Sequence, residues 1–251
     1  MVKLAAMFPI RDHNPSGRRP LVTYALIAIN IAVFLAYFPG ADSEQALGRF
    51  FYTWGLVPEA VMSGQNSVTV ITHMFLHGGW MHLAGNMLFL WIFGDNLEDE
   101  MGHLRFLLFY LGCGLAAAAL QIAADPASAA PMVGASGAIA GVLGGYLLLF
   151  PRARIDVLFI FVIFFRVFSI SAWIVLGVWF GLQLLNSASG AEDGVAYLAH
   201  VGGFVAGVVL TLPALMKRGG RGYWAQNAGA PPHPETRYKI TPTAIPRVPK
   251  R

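Results

Sequence analysis

Apolar and polar residues alternate in long blocks along the chain, and these blocks set the first structural expectation. Six apolar runs recur, from about Leu21 to Phe38, Gly79 to Phe93, Phe106 to Ala124, Ser136 to Phe150, Ala172 to Leu185 and Val195 to Leu212. Such runs read as membrane-crossing helices, which need about 20 residues to traverse the hydrocarbon core. The fourth run is short and glycine-rich. A helix of that kind starts below the membrane surface only where protein or water surrounds its end. Between the first two runs, residues 39–70 form a polar-aromatic stretch with Phe50, Phe51, Tyr52 and Trp54, a mix suited to the membrane interface. Asp125-Pro126 to Pro131 reads as a turn-rich connection. Ile155 to Phe165 is apolar but is stopped by Arg166, and reads as a loop dipping partly into the membrane. The predicted fold class is therefore all-α. It is a polytopic membrane protein with a six-helix bundle over residues 21–213, a basic segment at 1–20, and a basic, Pro-rich, disordered tail at 214–251.

Composition strengthens this reading. Apolar residues make up 56% of the 251 and charged residues 12%, whereas a soluble domain carries about 25% charged residues. The charge is uneven: four Lys/Arg lie before residue 20 and eight after residue 216. Basic ends of this kind set topology and attract lipid, and are not read as nucleic-acid-binding. Arg11, Arg18 and Arg19 predict a cytoplasmic N-terminus. Six alternating crossings then put Arg152, Arg154, Arg166 and the basic tail on the same side, as expected in a bacterial inner membrane. Arg18-Arg19 could open a twin-arginine signal peptide, but the run that follows is long for one and lacks a clean small-residue cleavage site. Cys113 is alone, which leaves no intrachain disulfide, and it reads as packing within an apolar helix.

The candidate chemistry follows from the same topology. The second, fourth and sixth runs share one direction, from outside to inside. His82 and Asn86 then lie near the start of the second, Ser136 at the start of the fourth and His200 near the start of the sixth. Polar and ionisable residues within a span are costly and mark functional sites by default. His82 and Asn86 are four apart and share a helix face. Gly137, Gly141 and Gly145 run beside Ser136, and Gly203 and Gly207 continue the face of His200. Such small-residue patterns let two backbones approach closely in a bilayer. Serine then faces histidine, and a histidine with an ordinary pKa near 6.5 can take the proton of a weakly nucleophilic hydroxyl. No Asp or Glu lies near His200 in its run, while Glu192 and Asp193 precede it in a loop. A Ser-His dyad is favoured over a triad, with a loop carboxylate left open. Asn86, His82 and the free Ser136 amide at a helix start are candidate oxyanion donors.

These residues also carry a resemblance. The chain resembles the rhomboid family of intramembrane serine proteases in His77-Gly-Gly-Trp-Met-His82-Leu-Ala-Gly-Asn86, in Gly134-Ala-Ser136-Gly137 and in His200-Val-Gly-Gly203, with Gly102-His-Leu-Arg105-Phe ahead of the third run. Each motif is short; their ordered set over residues 20–213 is specific. The resemblance implies a six-transmembrane-helix rhomboid fold with Ser136 as nucleophile, His200 as base, and His82 and Asn86 in the oxyanion hole. It also implies single-span transmembrane substrates cut near the outer face, membrane lipid as the setting, and no metal or other cofactor. One position departs from the pattern. Some members place an aromatic one turn after the serine to stack on the histidine, and here it is Ala140, which leaves open what buttresses the His200 ring.

Two other classes compete with this reading. His73 and His77 are four apart with His82 nearby, a conceivable zinc set, but no HExxH motif occurs and no carboxylate stands beside them. A non-catalytic membrane binder or transporter with a polar midplane site is the other. The presence of both Ser136 and His200 argues against it.

Overall fold

The computed structural model describes residues 5–161, 164–190 and 194–238. Strand β1 (Ala5–Asp12) leads to helix α1 (Leu21–Tyr37). Three short helices follow: α2 (Glu44–Trp54), α3 (Pro58–Met62) and α4 (Thr69–Thr72). The long helices α5 (Trp80–Met101) and α6 (His103–Ala124) precede α7 (Ser136–Leu149). Strands β2 (Arg154–Phe161) and β3 (Phe164–Ser171) then run into α8 (Ala172–Ala188), α9 (Tyr197–Lys217) and α10 (Arg221–Asn227).

Among the described residues, three helices are long and apolar enough to cross a membrane: α1 with its 3-10 extension to Gly40, α6 and α9. Helices α7 and α8 are apolar but shorter. Helix α5 outruns its apolar sequence by two turns and carries Asp95, Glu98, Asp99 and Glu100 there.

Helix α7 is the axis of the bundle. Every residue from Gly137 to Tyr146 is buried, as expected of a helix that is apolar all round. Its glycines face α9 and α6. A Cβ placed on Gly203 or Gly207 would collide with the carbonyls of Gly137 and Gly141 respectively, and one on Gly144 with the carbonyl of Phe204. On the α6 side, Gly137 and Gly141 lie against Ala117 and Cys113. At these glycines the backbones of α7 and α9 meet directly. Backbone contact of this kind substitutes for a hydrophobic driving force, which lipid does not provide.

The all-α expectation is corrected by a three-stranded antiparallel sheet in the order β1-β2-β3. The stretch read as a membrane-dipping loop is a hairpin, pairing Arg154 with Ser171 through Phe161 with Phe164. Its β-branched and aromatic residues suit strands, but so short an apolar run does not distinguish strand from helix. The 1–20 segment supplies the third strand. Pro9, which has no N–H to donate, is tolerated because β1 is an edge strand with a register shift between Pro9 and Arg11. Asp156 fastens this sheet. It accepts from Arg11 Nε at 2.7 Å, pairs with His13 Nε2 at 2.8 Å and accepts from Ser169. Burial raises the Asp156 carboxyl, and the bonds from Ser169, His13 and Arg11 more than offset it, so its pKa lies below the usual value. Asp12 accepts from the Tyr146 hydroxyl at 2.7 Å, and burial still pushes its carboxyl up to about 8.

The 214–251 tail also differs from expectation. Residues to Lys217 extend α9, and α10 is docked by Trp224 Nε1 donating to the Leu148 carbonyl at 3.0 Å. Residues 239–251 lie outside the described residues.

Helix α1 begins without a side-chain cap of its own. Glu98 of α5 supplies one. Its carboxylate accepts from the amides of Val22 and Thr23 at 2.8 and 2.7 Å and from the Thr23 hydroxyl at 2.7 Å, while buried to 1% exposure. Bonds from unsatisfied first-turn amides to an anion are favoured by charge and helix dipole alike.

The seam predicts a contrast between glycines. Gly207→Leu, which would force α9 off α7, should lower the thermal unfolding midpoint in detergent by several degrees, given about 1–3 kcal/mol for overpacking. Gly181→Leu on α8, where a Cβ meets nothing within 4 Å, should leave the midpoint unchanged or raise it. Equal midpoints for the two variants would contradict a backbone-packed seam.

Candidate active site

The starts of α5, α7 and α9 come together at the end of the bundle away from the sheet. Ser136 is the first residue of α7 and His200 lies in the first turn of α9. The glycine seam brings their backbones close enough for the side chains to meet, with Ser136 Oγ 2.9 Å from His200 Nε2. Both are half-buried at the wall of a cavity of about 810 Å³, which Asn86, His82, Gly134 and Gln121 also line.

The loop before α7 is held from both sides. Met132 and Leu56 exchange backbone bonds at 2.8 and 2.9 Å, and the Gly134 amide donates to the His73 carbonyl at 2.9 Å. Gly134 sits at φ +131°, a conformation L side chains rarely adopt. A side chain would also crowd the site. A Cβ there would lie 2.9 Å from His82 Nε2 and 3.4 Å from Ser136 Oγ. The missing side chain leaves open a space within reach of both atoms.

His82 is fixed by its other nitrogen. The Gly78 amide donates to His82 Nδ1 at 3.2 Å, which makes Nδ1 the acceptor and leaves the proton on Nε2, facing that space. Asn86, buried one turn further along α5, donates from Nδ2 to the His82 carbonyl at 2.8 Å and keeps a second amide hydrogen. Tyr37 of α1 holds the lead-in to α5. Its hydroxyl donates to the His77 carbonyl and accepts from the His77 amide, both at 2.7 Å.

The structure thus brings Ser136, His200, His82 and Asn86 to one cavity, with Gly134 between His82 and Ser136. Gly137, Gly141, Gly203 and Gly207 lie in the seam that sets the helix spacing. The histidines of the zinc reading do not assemble: His73 Nδ1 donates to the Thr69 carbonyl at 2.9 Å, and no three-ligand cluster occurs among the described residues. His77 packs edge-on against His82, with ring centroids 5.1 Å apart. Glu192 and Asp193 lie outside the described residues.

Motif reading passed over one residue. Gln183 of α8 is 8% exposed, and its Oε1 lies 2.8 Å from His200 Nδ1. The signal was present in the sequence, since Gln183 is a polar amide inside an otherwise apolar run. Trp179, one turn earlier, presents its ring to His200 at 5.9 Å between centroids and an interplanar angle of 34°. With Ala140 one turn after the serine, the ring contacts of His200 come from Trp179 and, edge-on at 6.4 Å, from Tyr197.

Residues 64–217 match the Rhomboid domain. The chain is 31% identical over 195 residues to rhomboid protein 1, mitochondrial, of Saccharomyces cerevisiae, covering 75% of this chain and 51% of that protein. It is 32% identical over 197 residues to rhomboid protease GluP of Bacillus subtilis, covering 78% and 36%. It is 33% identical over 188 residues to RHOMBOID-like protein 4 of Arabidopsis thaliana, covering 74% and 43%. The chain belongs to the rhomboid family. It spans about half or less of the length of each of these relatives.

Proposed function

We propose that this protein is an intramembrane serine endopeptidase that hydrolyses a peptide bond near one end of a substrate's transmembrane segment. One observation carries the proposal: the Ser136 hydroxyl bonded to His200 Nε2 at 2.9 Å, beside the space left by Gly134. Ser136 Oγ attacks the scissile carbonyl carbon as its proton passes to His200 Nε2. The oxyanion forms in the space beside Gly134 and is met by His82 Nε2–H, the second amide hydrogen of Asn86 and the Ser136 amide. Collapse expels the amine, which takes the proton from His200. Water, deprotonated by the same nitrogen, then releases the acyl group from Ser136. No metal or cofactor takes part.

Six helices, α1 and α5 to α9, cross the membrane in this reading. The short α7 begins below the surface, where the polar cavity supplies water and a place for an exposed helix end. Basic residues before α1, between α7 and α8 and after α9 favour a cytoplasmic sheet end and an outward-facing site.

Ser136→Ala and His200→Ala should each abolish cleavage of a reconstituted single-span substrate and covalent labelling by a fluorophosphonate, with helical content unchanged. Because the pair acts as a unit, the double variant should be scarcely worse than either single one. Substantial turnover by Ser136→Ala would remove the nucleophile, and loss of wild-type activity in a chelator, restored by zinc, would remove the metal-free mechanism.

His82→Ala and Asn86→Ala act on charge that develops only in the transition state. Each should lower kcat by about 10²-fold, on the order of 3 kcal/mol, with little change in KM. Full activity in both would reduce them to helix packing.

Single cysteines at Asp42 and Ser189 should react with an impermeant thiol reagent added outside intact cells, whereas Gly222→Cys should react only after permeabilisation. The inverse pattern would reverse the orientation and move cleavage to the other face.

A further inference from the structure

We infer that Gln183 is a positioning residue for the His200 base, an uncharged amide in the place where a serine-histidine pair more often has a carboxylate. The inference rests on the serine protease reading above and concerns the far side of the imidazole from the nucleophile.

Three observations combine. Gln183 Oε1 and Ser136 Oγ lie 2.8 and 2.9 Å from opposite nitrogens of the same ring, so one imidazole bridges α8 to α7. The orientation of the amide is fixed, because Gln183 Nε2 lies 3.2 Å from the Trp179 carbonyl, a group that can only accept. Oε1 therefore faces the histidine and accepts, which puts the proton on His200 Nδ1 and leaves the Nε2 lone pair for the serine hydroxyl. Finally, Gln183 is buried at 8% exposure. An acceptor removed there leaves the Nδ1–H without a partner, a loss that water does not readily make good.

The contact does more than join two helices. A neutral histidine can hold its proton on either nitrogen, and only the Nδ1–H form can receive the serine proton. Gln183 selects that form. A carboxylate would select it too and would stabilise the imidazolium that forms on attack, but an unpaired ionised group is expensive to hold in a membrane interior. An amide is neutral in both protonation states of the histidine. It fixes tautomer and ring angle without adding a buried charge, and the Trp179 carbonyl holds the amide in turn.

Gln183→Leu and Gln183→Glu separate this role from simple packing. In Gln183→Leu the acceptor is gone. The value of kcat should fall about 10- to 100-fold with KM unchanged, and fluorophosphonate labelling of Ser136 should slow in parallel. In Gln183→Glu the acceptor returns. Activity at the pH optimum should recover to within about tenfold of wild type. The negative charge beside Nδ1 favours the imidazolium, which raises the histidine pKa and moves the acid limb of kcat/KM to higher pH. Labelling needs no transmembrane substrate, and each rate is read beside the thermal midpoint of the same variant. Wild-type kcat in Gln183→Leu would overturn the inference, as would equal losses in both variants that follow their thermal midpoints with an unmoved pH profile. Ser136→Ala, run alongside, tells the two levels apart. If it is inactive while Gln183→Leu is fully active, only the positioning role fails; if it is active, the protease reading itself fails.

Discussion

The contact of two bare backbones, α7 against α9, is the constraint on which the rest of this structure depends. Gly137 and Gly141 meet Gly203 and Gly207 with no room for a Cβ. In water such a contact would bury little and contribute little. In a bilayer, where apolar side chains gain nothing by leaving lipid, close packing and dispersion take over. The seam also fixes a distance. A serine and a histidine have short reach, and side chains interposed between the helices would part Oγ from Nε2. The polar site at one end of the seam is a by-product of how tightly the rest of it closes.

The two ends of the bundle manage polarity differently. At the sheet end, charges are paired: Glu98 caps α1, Asp156 gathers Arg11, His13 and Ser169, and Glu100 faces Arg218. Buried charge persists where its bonds are made in full. At the other end, bonds are deliberately incomplete. Asn86 and His82 each spend one polar group on the scaffold and keep another facing the cavity. Groups held this way are preorganised without being satisfied, which is the condition for stabilising a charge that appears only during a reaction.

How much of this was legible in the sequence depended on whether the signal was local. The helix starts at Leu21, Ser136 and Ala172 coincide with the edges of apolar runs, because lipid imposes one rule along each run. Ser136 and His200 were legible as a pair because glycine spacing encodes which faces approach. The extension of α5 to Met101 was not, since its last turns are acidic and are buried against α1 and β1 by contacts distant in sequence. The sheet was missed for the same reason. Nothing in Ala5–Asp12 indicates that its partner lies beyond Arg154, and Ile155–Phe161 alone fits several structures. Gln183 was visible as an anomaly in its run, but its target became evident only once α8 and α9 were placed side by side.

The sheet has a consequence for how the chain is made. His13 is bonded to Asp156, 143 residues later, and to Thr236, 223 residues later. At about 5–20 residues per second, the first strand leaves the ribosome roughly 7–30 s before its partner exists. During that interval it is an unpaired edge, the kind of segment that invites strand addition by other chains. Pro9 and Arg11 within it weaken such pairing, one by lacking an N–H and the other by its charge. Strand β1 thus finds its partner only after many further residues are made, and the segment at Thr236 and Tyr238 then closes over His13 and Arg11.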